Sequence, residues 1–280
     1  MKVSVVMAGK NSDPVFLKEA IYSILNQTFQ DFEFIFVDDG SEKPLEPVVR
    51  EISKDERITV YRIPSSGLGA ALNYGVSKSN GELIARIDDD DISLPTRFEK
   101  QVNYMDEHPE VSCLGTQIHF KCGNKIYPHG RFPVKHEDII GCIAKLHFVF
   151  GHTVLMFRRS CFDKIGGYRI PGGGQDLDLF LQMGTVGKIN NLDEYLGFYT
   201  MSIKGLSVTN PQKKEAYIFA LESALKYDGY SPYYNDIEKS IEKLKKGEGF
   251  LYHKIERAKR RLLIWLTMYF GKSVESVKYE

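Results

Sequence analysis

The sequence predicts an α/β fold with a mostly parallel central sheet flanked by helices and a helical C-terminal extension. Three observations predict it. Apolar, β-branched runs alternate with helix-period segments through the N-terminal part. Acidic residues cluster where those runs end, and ligands of open α/β sheets sit beyond the carboxyl ends of the strands. From Pro211 onward the pattern is helical only.

Taken in order, residues 3–7 form a β-branched strand ending at Ala8-Gly9-Lys10-Asn11. Val15, Leu17, Ile21, Ile24 and Leu25 follow at helical spacing, and a second strand covers 32–37. Residues 44–52 read as helix, 58–63 as strand, 70–77 as helix and 82–87 as strand. Such alternation calls for right-handed crossovers and parallel pairing. Beyond residue 110 the pattern loosens. Residues 111–120 and 153–157 read as strands, and a helix over 176–183 follows Gly172-Gly173-Gly174. The remainder reads as three helical segments broken near 229–232 and 247–249.

Composition bounds the function. With 280 residues, 42% apolar and 26% charged, the chain can bury a sizeable core and is neither disordered nor fibrous. Lys+Arg and Asp+Glu both number 37, which disfavours a uniformly basic nucleic-acid binder. The balance is uneven, because residues 239–261 carry nine Lys/Arg against Glu242, Glu248 and Glu256. Cys113, Cys122, Cys142 and Cys161 lack metal-type spacing and read as reduced structural thiols. The N-terminal apolar run is too short for a signal peptide. The nine-residue, largely apolar stretch 262–270 falls well short of the roughly 20 residues that span a bilayer.

Three motifs carry chemistry. In IDDDDISLP, four adjacent carboxylates, Asp88 to Asp91, repel one another and call for a counter-charge. A hard cation, Mg²⁺ or Mn²⁺, suits oxygen ligands and phosphate; the same run also fits a solvated loop capping the helix near Pro95. In an extended segment, Asp88 would pair with Asp90 and Asp89 with Asp91. In FVDDGS, Asp39 can accept from a base or ribose, or with Ser41 can build a local turn. In GGGQDLDLFLQM, Asp176 stands where a general base or an ordinary N-cap could stand, and Asp178 has the same two readings.

These motifs, with VSVVMAGKN, the SILNQTFQDFEFIFVDDGS run, the Gly81-Glu82 step, DDDDISLPTRFEKQ and HTVLMFRRSCFDKIGGYR, resemble glycosyltransferase family 2, the inverting enzymes of the GT-A fold, over roughly residues 1–200. The resemblance implies a metal-dependent inverting enzyme that moves one sugar from a nucleotide-sugar to a glycan or lipid-linked acceptor, as in bacterial O-antigen, capsule or lipooligosaccharide synthesis. UDP-hexoses and UDP-N-acetylhexosamines are the donors it suggests.

The resemblance also assigns residues. Ala8, Lys10 and Asn11 meet the nucleotide, joined on the donor side by Gly67, Asp88 and Asp89. Asp39 reads the base. Asp88 and Asp90 are the outer members of a metal-binding DXD motif, and Asp176 is the base for the acceptor hydroxyl. His152, Gln175 and Asp178 fall on the acceptor side, where His152 is alternatively a satisfied buried histidine. Arg158 and Arg159 are phosphate contacts or surface charges.

The implied division is a catalytic domain over 1–210, with 1–110 binding the nucleotide-sugar and 111–210 the acceptor, and a helical extension over 211–280. Basic residues followed by LLIWLTMYF within 250–270 suit either an anionic membrane surface or packing on the domain. The expected location is the cytoplasm, peripheral on the inner face of the membrane.

The sequence departs from the family pattern at three points. Ala8-Gly9-Lys10-Asn11 replaces the usual Pro-x-Tyr-Asn, and Gln175 replaces the acid that commonly precedes the base. The Gln-x-x-Arg-Trp motif of processive synthases is missing, which points to single-sugar transfer. The competing classes are a nucleotidyltransferase of related α/β fold and a non-catalytic nucleotide-sugar-binding module. The first needs a glycine-rich basic loop that Ala8-Gly9-Lys10 does not supply, and the second would be expected to lack Asp90 or Asp176.

Overall fold

The structure, a computed structural model, describes residues 1–123, 125–128, 131–170, 173–201 and 214–247. Its N-terminal half follows the predicted alternation: β1 (Val3–Gly9), α1 (Pro14–Leu25), β2 (Phe32–Asp39), α2 (Glu46–Ile52), β3 (Ile58–Ile63), α3 (Leu68–Ser77) and β4 (Leu83–Asp88). Then come β5 (Ile92–Ser93), α4 (Arg97–Glu107), β6 (Val111–Cys122), β7 (Lys125–Pro128), α5 (His136–Ala144), β8 (Met156–Arg158), α6 (Arg159–Ile165), α7 (Gln175–Val186) and β9 (Lys188–Thr200). Helices α8 (Lys214–Ala224) and α9 (Tyr234–Lys245) flank a 3₁₀ turn at Asp228–Tyr233.

β1, β2 and β4 are largely apolar because both faces of this part of the sheet are covered. Side chains alternate between two cores with period two. Val6, Ala8, Ile35, Val37 and Ile84 face the layer that includes residues of α3, α5, α7, α8 and α9. Val3, Val5, Met7, Phe34, Phe36 and Ile87 face the layer built with α1, α2 and α4. Where α3 crosses the sheet, Gly75 takes the place of a side chain, since a Cβ there would lie 2.5 Å from Val6 Cγ1.

The sheet order among the described residues is β3-β2-β1-β4-β8-β6-β9-β5, with β7 beside β6. β3, β2, β1 and β4 run parallel, while β8 enters antiparallel to both β4 and β6. The strand order turns at β1, which has β2 on one side and β4 on the other. That switch point opens a crevice beyond the carboxyl ends of β1 and β4.

The second half departs from expectation in detail. Residues 152–154 form a 3₁₀ turn, and the strand expected over 153–157 begins only at Met156. β9, which no alternation announced, pairs along β6 with register shifts near Gln117. Arg158 and Arg159 are neither phosphate contacts nor surface charges. Arg158 donates to the carbonyls of Val111 (2.8 Å) and His108 (3.1 Å), and Arg159 to those of Gly81 (2.7 Å) and Val76 (3.0 Å). Arg158 pairs with Leu83 at the start of β4, the end away from the aspartates.

Of the predicted C-terminal segments, the first two are helical and pack on the domain, with Tyr230 Oη donating to the Leu181 carbonyl of α7 at 2.7 Å. The basic 250–270 segment lies outside the described residues. Among the described residues no helix is long and apolar enough to cross a membrane. The four cysteines are free thiols.

Candidate active site

The exits of β1, β2, β3 and β4 are stitched together at the switch point. Asn11 adopts φ 53°, a left-handed conformation that asparagine tolerates. Its amide donates to Ser41 Oγ (2.8 Å), and its side-chain oxygen accepts from the Glu42 amide (2.8 Å). Lys10 Nζ reaches Ser65 Oγ at 2.9 Å, while Ala8 is buried in the core.

Asp38 builds the turn after β2, accepting from the amides of Ser41 (2.8 Å) and Leu45 (3.1 Å). Asp39 reaches further and accepts from the amides of Ser66 (2.7 Å) and Gly67 (3.0 Å). Gly67 has φ 92°, a conformation that favours glycine, and stands just before α3. Asp39 therefore shapes the loop beside the crevice.

The four aspartates are not an extended run. Residues 89–90 form a turn and the Asp91 amide lies 3.4 Å from the Asp88 carbonyl, so the extended run that would pair alternate carboxylates is not formed. Asp88 takes both terminal nitrogens of Arg86, with Nη1 at 2.5 Å from Oδ2, and its amide donates to Thr153 Oγ1 at 3.0 Å. Asp89 accepts from Ser12 Oγ. Asp91 is buried and accepts from the Thr200 amide of β9 at 2.6 Å, so it joins two sheet elements and caps no helix. Asp90 accepts from no other side chain among the described residues.

Electrostatics separates these groups. Burial raises the Asp89 carboxyl to about 6 despite the Ser12 hydrogen bond. Asp90 is pushed up to about 8 by burial first and then by the charges of Asp88 and Asp89. Asp91 is raised for the same reasons. Beneath the cluster lie two buried guanidiniums that the motifs did not announce. Arg97 donates to the carbonyls of Arg86 (2.8 Å) and Leu155 (2.9 Å) and to Ser93 Oγ (2.7 Å). The signal for Arg86 was present as a lone charge inside the apolar strand LIARID, because a buried charge demands a partner.

Asp176 is the second residue of α7; Gly174 holds the N-cap position. Its carboxylate accepts from the adjacent Leu177 amide (2.9 Å), has no side-chain hydrogen bond among the described residues, and lines a cavity of about 30 Å³ with Leu146, Phe148, Phe180 and Tyr217. Burial raises its pKa, the Arg86 charge opposes that rise, and the Asp88 charge adds to it. The two acidic centres are thus close enough to influence each other.

Of the other residues expected on the acceptor side, Asp178 is buried and taken by Arg169, whose Nε lies 2.9 Å from Oδ2. Gln175 keeps a buried side-chain oxygen with no partner among the described residues. His152 Nε2 meets Tyr168 Oη at 2.9 Å, and burial with the Arg86 charge holds the ring far below its usual pKa, hence neutral. Asn73 clamps Tyr168 through both its amide (2.9 Å) and its carbonyl (2.8 Å).

Among the described residues no three His, Cys, Asp or Glu side chains are grouped to hold a metal unaided. Mg²⁺ and Mn²⁺ are commonly held by one or two carboxylates, with waters and substrate phosphates completing the shell. Asp90, raised by burial and then by its neighbours' charge, and accepting from no other side chain among the described residues, fits that pattern.

The family model "Glycosyl transferase family 2" matches residues 4–166. The chain belongs to that family. Similar members include the O-antigen biosynthesis glycosyltransferase WbnJ of Escherichia coli, 33% identical over 184 residues, covering 65% of this chain and 71% of WbnJ. The amylovoran biosynthesis glycosyltransferase AmsE of Erwinia amylovora is 30% identical over 243 residues, covering 81% of this chain and 88% of AmsE. Among solved structures, S. aureus TarS 1-349 in complex with UDP-GlcNAc superposes with TM-score 0.71 at 18% identity, covering 94% of this chain and 79% of that one. The Pyrobaculum calidifontis mannosyltransferase PcManGT, in complex with GDP-Man and Mn²⁺, gives TM-score 0.65 at 13% identity over 98% of this chain and 76% of its own. This glycosyltransferase therefore has the GT-A fold.

Proposed function

We propose that this glycosyltransferase moves a single hexose or N-acetylhexosamine from a UDP-linked donor to a glycan or lipid-linked acceptor during surface-polysaccharide synthesis, with inversion at the anomeric carbon. The observation that carries the reading is that Asp176 feels the charges of Arg86 and Asp88 at the end of β4, beside Asp90, which accepts from no other side chain among the described residues. The O-antigen and amylovoran roles of WbnJ and AmsE support the pathway, and the UDP-GlcNAc bound to TarS supports the donor class.

In this scheme Asp39 and the Ser66–Gly67 amides border the nucleotide, with Lys10 and Asn11 at its edge. Asp176 takes the proton of the acceptor hydroxyl. The acceptor oxygen forms its bond to the anomeric carbon from the face opposite the nucleotide. The carbon–oxygen bond to the diphosphate breaks, and its electron pair leaves with the nucleoside diphosphate. The chemistry that a bound Mg²⁺ or Mn²⁺ supplies is neutralisation of the departing diphosphate, and Asp90 and Asp88 are the residues that would hold it. Gln175 and His152 border the acceptor. Residues 1–210 are the catalytic domain and 211–280 an extension whose basic 250–270 segment rests on the anionic inner face of the membrane.

The test is a transfer assay with UDP-, GDP- and dTDP-sugars and Mn²⁺ or Mg²⁺, with the anomeric configuration of the product read by NMR. A UDP-sugar of α configuration is expected to give a β-linked product. A retained configuration, or turnover unaffected by chelation, contradicts the proposal.

A further inference from the structure

Arg86 occupies a position that the family motifs leave unexplained. It is 2% exposed, and both of its terminal nitrogens are spent on the two oxygens of Asp88, whose side chain is 27% exposed. Its Nε has no partner among the described residues. The guanidinium behind it, Arg97, is also buried and is hydrogen-bonded to neutral oxygens only. Asp88 is thus the one carboxylate within ion-pair distance of Arg86 among the described residues.

A buried guanidinium costs several kcal/mol to desolvate unless it is paired. The pair is therefore close to obligatory while nothing else is bound. A lone divalent cation at this turn would compete with Arg86 for Asp88 and stand next to its charge. A cation that arrives with a nucleoside diphosphate belongs to a complex that is still anionic, so the same guanidinium attracts it.

We propose that Arg86 is a positioning residue that locks Asp88 in the substrate-free enzyme, making the aspartate turn a poor site for a cation alone and tying cation entry to the nucleotide diphosphate. This rests on the metal-dependent reading above. Both oxygens of Asp88 are held by Arg86, leaving Asp90 as the open carboxylate. Release of Asp88 accompanies the arrival of negative phosphate oxygens, which take over the pairing with Arg86.

The test is Mn²⁺ binding to the full chain, followed by the EPR signal of free Mn²⁺, with and without UDP. Wild type is expected to bind Mn²⁺ weakly alone and at least tenfold more tightly with UDP. Arg86→Met, which removes the lock at similar length, is expected to bind Mn²⁺ alone about tenfold more tightly than wild type, close to 1.4 kcal/mol, and to turn over more slowly. Arg86→Lys keeps the buried charge but not the two-point fork, so it guards against misfolding of the first variant; a rise in lone-cation affinity is expected here too. Unchanged or weaker lone-cation binding in a folded variant, with UDP-dependent binding retained, overturns the lock alone. If neither wild type with UDP nor the variants bind Mn²⁺, the metal reading fails and the lock fails with it.

Discussion

Two carboxylates in the first turn of one helix, Asp176 and Asp178, stand in different surroundings. Asp178 is buried against Arg169 and spent on structure, while Asp176 accepts from backbone amides and from no side chain among the described residues. Asp178→Ala is expected to lower stability by about 2 kcal/mol, since it leaves a partly buried guanidinium unpaired. Asp176→Asn is expected to keep or raise the melting temperature, because it relieves a half-buried, desolvated carboxylate, and to cut kcat by about 10²- to 10⁴-fold. Thermal melts beside steady-state rates separate the two, and a full-rate Asp176→Asn removes it as the base. Because burial lifts Asp176 above the usual carboxylate range, kcat should fall with decreasing pH at a higher pH than for an exposed aspartate. A pH–rate profile checks this. The chemical identity of these residues was legible from their order, but their division of labour was not. Which aspartate meets an arginine depends on Arg169 folding back onto Asp178.

At the scale of elements, the parallel half of the sheet was legible because its strands are buried on both faces and end in acids. α3 shows how tightly that half is built. Gly75→Ala would set a methyl 2.5 Å from Val6 Cγ1 and 3.2 Å from Val37 Cγ2, and is expected to cost about 2 kcal/mol in a denaturant titration. A cost below about 0.5 kcal/mol would mean that α3 sits further from β1 and β2 than described. β9 was hidden, because KINNLDEYLGFYT mixes buried and exposed positions and its register against β6 shifts. The 3₁₀ turn at His152–Val154 was also hidden: its apolar, β-branched residues look like strand, yet Thr153 is needed to accept from the Asp88 amide. Arg158 and Arg159 misled for a similar reason, since their work is to bind carbonyls brought near by distant parts of the chain.

For the molecule as a whole, the aspartate turn is a cost that the proposed cation and nucleotide would relieve. A carboxyl whose folded pKa lies above its unfolded value contributes stability that is complete below the unfolded value and is lost as pH rises through the folded one. Asp89 at about 6 and Asp90 at about 8 both start from 3.8. Without ligand, their combined contribution is therefore expected to decline from about pH 4 to about pH 8. Melting curves across that window should show it, and Asp90→Asn should flatten the upper part. Saturating Mn²⁺ with UDP should flatten it as well, since the cation supplies the missing charge.

The most direct measurement of the central claim is a thermal-shift series with UDP, GDP and dTDP, each with and without Mn²⁺, on wild type and Asp90→Ala. Stabilisation by one nucleotide that depends on Mn²⁺ in wild type and is lost in Asp90→Ala is the predicted result. Equal stabilisation of both proteins, or nucleotide binding indifferent to the metal, would contradict a cation-assisted donor site at the end of β4.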